Sequence, residues 1–118
     1  MEDQKSFEYT FTQKNKMLVV SLSGEISSPA LAALEACRQE ILGKTDVASV
    51  VLFFQDVEAI SMDAIPLIAQ IQRDIRLKPA ELRLCIRENL REKLVRMGVV
   101  RGLEVADDLR TALLSFSS

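Results

Sequence analysis

The sequence predicts an α/β fold: a mixed four-stranded sheet, built from an N-terminal hairpin and a β-α-β-α-β continuation, with helices mainly on one face. Three observations carry this. Phe7, Tyr9 and Phe11 alternate with Glu8, Thr10 and Thr12, and after a polar stretch at 13–16 the alternation resumes in Leu18, Val20 and Leu22. That is the period of two half-buried strands joined by a turn. Two later apolar runs, at 47–54 and 82–87, flank a segment with helical spacing, which calls for parallel pairing through right-handed crossovers. Finally, the strand residues sort into two unlike faces. One collects Phe7, Tyr9, Phe11, Leu18, Val20, Leu22, Val50, Leu52, Phe54, Leu82, Leu84 and Ile86; the other is mostly polar, so a sheet wound on both sides is disfavoured. Helices are expected to cover only the first face. Val19, Val51 and Phe53 form a small apolar patch on the second, read as isolated surface residues or as an interface.

The helices follow from caps and periodicity. Ser28 before Pro29 reads as an N-cap with proline at the first helical position, and Leu31, Leu34, Cys37 or Arg38, and Ile41 continue at helical steps to Gly43. In the second helix Ala64, Leu67, Ile68, Ile71 and Ile75 face inward. Pro66 is tolerated only in the first turn, so this helix starts near Asp63, which makes Asp63 its expected N-cap. Asn89 and Glu92 match a capping box for a third helix with Leu90, Leu94 and Met97 inside and Gly98 beyond its end. A last helix begins near Asp107 and carries Leu109, Ala112, Leu113 and Phe116.

With 118 residues, 48% hydrophobic and 27% charged, the chain reads as one globular domain over residues 1–118, able to bury a core without metal or disulfides. The net charge of −2, with both signs interspersed, leaves no footprint for nucleic acid. The polar opening MEDQKSF and a longest apolar run of Val50 to Phe54 predict no leader, no membrane insertion and a cytoplasmic protein. Cys37 and Cys85 are then expected to be reduced. Histidine is absent, which removes the commonest general base and most transition-metal sites. There is no P-loop, GxGxxG or CxxC. No catalytic residue, metal site or cofactor is expected.

The stretch VEAISMDAIPLI, residues 57–68, holds the most informative residues. "SGEIS" (23–27) resembles a Gly-Glu-Leu-Asp-like turn, "VVLFFQDV" (50–57) an apolar strand, and "AISMDAI" (59–65) an Asp-Ser-Ser-Gly or Asp-Ser-Thr-Gly loop that opens a helix. "LVRMGVVRGLEVADDLRTALLSF" (94–116) resembles a closing stretch in which a helix end leads to a short strand and a final helix. On these motifs nearly the whole chain resembles the STAS domains, and among them the anti-sigma factor antagonists. The resemblance implies a non-enzymatic module that binds a protein, either an anti-sigma factor or a related serine kinase. It sets Ser61 on the family's aspartate, Met62 on its first serine, Asp63 on the phosphorylated serine or threonine, and Ala64 on its glycine. The acceptor hydroxyl is therefore missing and Asp63 carries a permanent charge in its place, an imitation of phosphoserine that lacks the second charge and third oxygen. Ser61 remains as a displaced acceptor. Phe53, where the family strand usually has aspartate, is a second departure.

Partner contacts are expected from the exposed flank of the second helix, Ile65, Pro66, Ala69, Gln70 and Arg73, with Ile65 equally able to pack inward. Self-association as a homodimer stays open. So does a role as a STAS subunit of a sensory or lipid-transport assembly. Outside the family, Asp56 after an apolar strand resembles a receiver phosphoacceptor, although the acidic pair a receiver needs for Mg²⁺ is missing: Gln13 and Lys14 stand there. A carboxylate pair of Asp56 and Asp63 is the remaining enzyme reading.

Overall fold

The computed structural model describes residues 6–116; the polar start at 1–5 lies outside them. In chain order it contains β1 (Glu8–Lys14), β2 (Met17–Ile26), a 3₁₀ turn (Ser28–Ala30), α1 (Leu31–Leu42) and β3 (Ser49–Ile60). A second 3₁₀ turn (Met62–Ala64), α2 (Ile65–Leu77), β4 (Glu81–Cys85), α3 (Glu88–Arg96), a third 3₁₀ turn (Gly102–Glu104), β5 (Val105–Ala106) and α4 (Leu109–Leu114) follow. The strands lie in the order β1-β2-β3-β4-β5, the first pair antiparallel and the rest parallel. Lys14 pairs with Met17 across a two-residue turn in which Asn15 takes φ 58°, a left-handed conformation asparagine tolerates better than most residues.

The sheet has five strands where four were read. β5 is two residues long and pairs only with Leu84 and Cys85, too short to show any period in the sequence. β3 also runs to Ile60, well past the expected end at Phe54. Between Phe53 and Asp56, and again between Val57 and Ala59, β3 gains one residue on β2, so it carries two bulges. These shift the alternation and turn Phe54, Val57 and Ile60 all into the core, which hides the strand from a period-two reading. On β2 the "SGEIS" stretch is strand up to Ile26, with Gly24 at φ 86°, not a turn.

The first face is buried as expected, and α1, α2 and α3 close it with Leu34, Cys37, Ile41, Ile65, Ile68, Ile71, Ile75, Leu90 and Leu94. The second face is not left open. Val51, Cys85, Ala106 and Ala112 form a separate buried cluster, with Val19, Phe53, Leu109, Leu113 and Phe116 packed around it. α4 thus covers the patch that had been read as surface or interface, and the expectation that helices would cover only one face is corrected. Arg83 clamps the chain beyond α4: its guanidinium lies 5.1 Å from the Phe116 ring centroid and donates to Ser115 Oγ at 2.8 Å. The fold is not that of a receiver, because the antiparallel β1–β2 hairpin opens the sheet and Asp56 lies exposed along β3.

Capping differs from expectation at α1 and α3. Ser28 lies inside the first 3₁₀ turn, after Ser27. α3 follows Arg87 with no side-chain cap, so Asn89 and Glu92 form no capping box, and Met97 is exposed. Its other end does follow the sequence: Gly98, at φ 77°, donates to Val95 O at 3.0 Å and Val99 to Leu94 O at 2.9 Å, a Schellman closure. In α4 the cap is Asp108, which accepts from Thr111 N at 2.7 Å.

The single tyrosine gives this packing a spectroscopic reporter. Tyr9 Oη donates to Glu40 Oε2 at 2.7 Å, tying β1 to α1. That hydrogen bond first, with desolvation and the Glu40 charge, pushes the phenol up to about 12 from 10.0. The neutral phenol is the favoured form, so this contribution to stability is complete below the unfolded pKa and is lost as pH rises through about 12. Ultraviolet titration of the folded protein should therefore show phenolate appearing well above pH 10, and Glu40→Gln should move the midpoint down. A midpoint of 10 in the parent would show that the bond is absent in solution.

Candidate functional site

The C-terminal ends of β2 and β3 meet at the pair Ile26–Ile60, and Ser61 N donates to Ile26 O at 2.9 Å. Beyond each strand the chain makes a 3₁₀ turn and enters a helix, so two turns stand side by side. Their contact is a side-chain hydrogen bond in which Ser28 Oγ donates to the Asp63 carboxylate. Lys93 reaches the same loop from α3, donating from Nζ to Ile60 O at 3.2 Å.

Asp63 is not a helix cap. The extended residue before the turn is Ser61, the residue before α2 is Ala64, and neither position makes a side-chain cap bond. The donors that Asp63 was expected to satisfy are already used: Ala64 N goes to Ser61 O at 3.1 Å, Ile65 N goes to Met62 O, and Pro66 has no N–H. The carboxylate instead stays exposed near the positive end of α2, on the surface beside Ser28. Ser61 has the opposite environment. Its Oγ is buried and has no hydrogen-bond partner among the described residues.

Around the carboxylate, Met62 is 62% exposed, and Pro66 and Arg73 are exposed along α2, with Ala69 and Gln70 half-buried between them. Two residues assigned to this surface belong to the core: Ala64 is fully buried and Ile65 is 5% exposed. Ile65 thus packs inward and leaves the flank. The polar rim is tied to α1. Arg73 Nη2 donates to Gln70 Oε1 at 2.7 Å, Gln70 Nε2 to Asp74 Oδ1 at 2.9 Å, and Arg38 Nε to Asp74 Oδ2 at 2.6 Å. The hydrogen bond to Asp74 raises the Arg38 guanidinium above its ordinary range. Sequence reading missed Arg38 and Asp74 because their pairing crosses 36 residues and has no local signature.

Chemistry has little to work with elsewhere. Burial pushes the Cys37 thiol up to about 12 and the Cys85 thiol to about 11, and both are free. Among the described residues no cluster of three or more His, Cys, Asp or Glu could hold a metal ion. A surface cavity of about 420 Å³ lies against α3, lined by Glu88, Arg91, Glu92, Val95, Arg96 and Gly102; neither Asp56 nor Asp63 reaches it. Among the described residues no helix is long and apolar enough to cross a membrane.

The STAS domain family model matches residues 8–112, from the start of β1 into α4. This chain belongs to the STAS domain family. Solved structures share its architecture. An anti-sigma factor antagonist from Mycobacterium paratuberculosis superposes with TM-score 0.80 at 19% identity, over 93% of each chain. The phosphorylated form of the Bacillus cell fate determinant SpoIIAA gives 0.69 at 14% identity, over 92% of this chain and 96% of that one. Murine Slc26a9, an anion transporter, gives 0.62 at 16% identity, over 87% of this chain but only 18% of the transporter. At these identities the likeness is one of fold. Among curated protein sequences no relative matches.

Proposed function

We propose that this STAS domain is a single, non-catalytic docking module of the cytoplasm that regulates transcription in the manner of an anti-sigma factor antagonist. In this reading its partner, an anti-sigma factor or a related serine kinase, is bound through the 61–64 loop and the outward flank of α2, formed by Pro66, Ala69, Gln70 and Arg73. Asp63 takes the place of the phosphoacceptor and holds a permanent negative charge there. One observation carries the reading: the Asp63 carboxylate is exposed beside the exposed Met62, while the one hydroxyl of the loop, on Ser61, is buried. A charged point flanked by an apolar anchor is a recognition surface. A buried hydroxyl is a poor kinase substrate. The likeness to the part of Slc26a9 that this chain covers favours a second reading, in which the domain is a subunit of a larger sensory or transport assembly.

Capture of the partner from the source cells separates the two readings: a kinase-like ATPase or anti-sigma factor supports the first, transporter subunits the second. With the recovered kinase and ATP, the intact mass of the parent protein is expected to stay unchanged. A stoichiometric gain of one phosphate mapped to Ser61 would show that the switch had been displaced and not lost.

A further inference from the structure

We propose that β1 is a self-complementary edge through which two copies of this chain pair, antiparallel and isologous, into one continuous sheet. β1 pairs with β2 on one side, and no other strand among the described residues occupies its outer edge. Edges of this kind template further pairing unless proline, a bulge, an inward-pointing charge or an unmatched edge charge, lysine above all, blocks it. Glu8–Lys14 contains no proline and its register with β2 is unbroken; its two charges, Glu8 and Lys14, stand at its ends, where only a strand of matching charge can pair with them.

The sequence of this edge also selects its occupant. If a second β1 is laid antiparallel with the dyad at Phe11, then Glu8 faces Lys14 of the partner subunit, Tyr9 faces Gln13, Thr10 faces Thr12 and Phe11 faces itself. The two opposite-charge pairs form symmetrically on the second face, where Glu8, Thr10, Thr12 and Lys14 are exposed. On the first face the dyad extends the aromatic row of Phe7, Tyr9 and Phe11, whose ring centroids already lie 6.0 and 5.8 Å apart. Among the described residues neither Glu8 nor Lys14 has an ion-pair partner within the chain. The edge lies two strands' width from the Asp63 loop along the sheet order, so pairing leaves the docking surface free.

A strand pair of this length lies below the area of permanent interfaces, so the dimer is expected to dissociate on the order of 0.1–1 mM. Sedimentation and NMR translational diffusion across that range, on the whole chain, provide the test. Glu8→Lys and Lys14→Glu each set like charges opposite one another twice, and each should weaken dimerisation by about tenfold or more. The double variant restores opposite charges in the same register and should return the dissociation constant to within about threefold of the parent. Both substituted positions are exposed, and unchanged circular dichroism of all three variants will confirm the fold. A parent that stays monomeric at 1 mM overturns the proposal; so do single variants that dimerise like the parent, or a double variant that fails to recover.

Discussion

Replacing Ile68 by alanine is expected to cost about 2–5 kcal/mol of folding stability, a large share of the 5–15 kcal/mol typical of a domain. Ile68 is fully buried on α2, in the same cluster as Val57 and Ile60 from the bulged end of β3. Removing three carbons leaves a cavity in a region already fixed by the sheet on one side and the α1–α2 pairing of Arg38 with Asp74 on the other. Relaxation around it is therefore limited. Urea unfolding should show the midpoint falling with the slope unchanged, since the surface exposed on unfolding is nearly the same. Arg73→Gln, on the exposed side of the same helix, should move stability by about 0.5 kcal/mol or less. A loss below about 1 kcal/mol for Ile68→Ala would mean that α2 does not pack through this ridge, and its outward flank would no longer be a fixed surface.

The sequence was most legible where one period ran unbroken. The hairpin, the first three helices and the apolar face follow directly from alternation and three-to-four spacing, because burial on one side leaves that imprint. Legibility ended where the backbone departed from regularity. The two bulges of β3 broke the alternation and concealed Val57 and Ile60, and β5 at two residues had no period to show. The patch of Val19, Val51 and Phe53 was visible in the sequence, but its cover was not: α4 is short, and nothing local states which face a terminal helix will choose. At the candidate site, Pro66 placed the start of α2 correctly. The role of Asp63 as a cap did not survive, because the 3₁₀ turn consumes the donors and Ser28, 35 residues earlier in the chain, supplies the hydrogen bond. Such long-range side-chain contacts, like that of Arg38 with Asp74, have no sequence signature.

Asp63→Asn is expected to weaken partner binding by about tenfold, equivalent to about 1.4 kcal/mol, while folding stability changes by no more than about 1 kcal/mol. Because Asp63 caps no helix, losing its charge exposes no backbone donor, and the amide oxygen of asparagine can still accept from Ser28 Oγ. Asp63→Ala removes the acceptor as well. It should lose binding to a similar extent, with only the exposed Ser28 hydrogen bond missing from its stability, unlike the larger penalty a lost cap would bring. The two variants thus separate charge from hydrogen bonding on one surface point. Calorimetric titration of the captured partner into parent, Asp63→Asn and Asp63→Ala is the most direct test of Asp63 as a permanent regulatory charge. The prediction is a tenfold weaker affinity in both variants with melting temperatures close to the parent; equal affinities for parent and Asp63→Asn would contradict it.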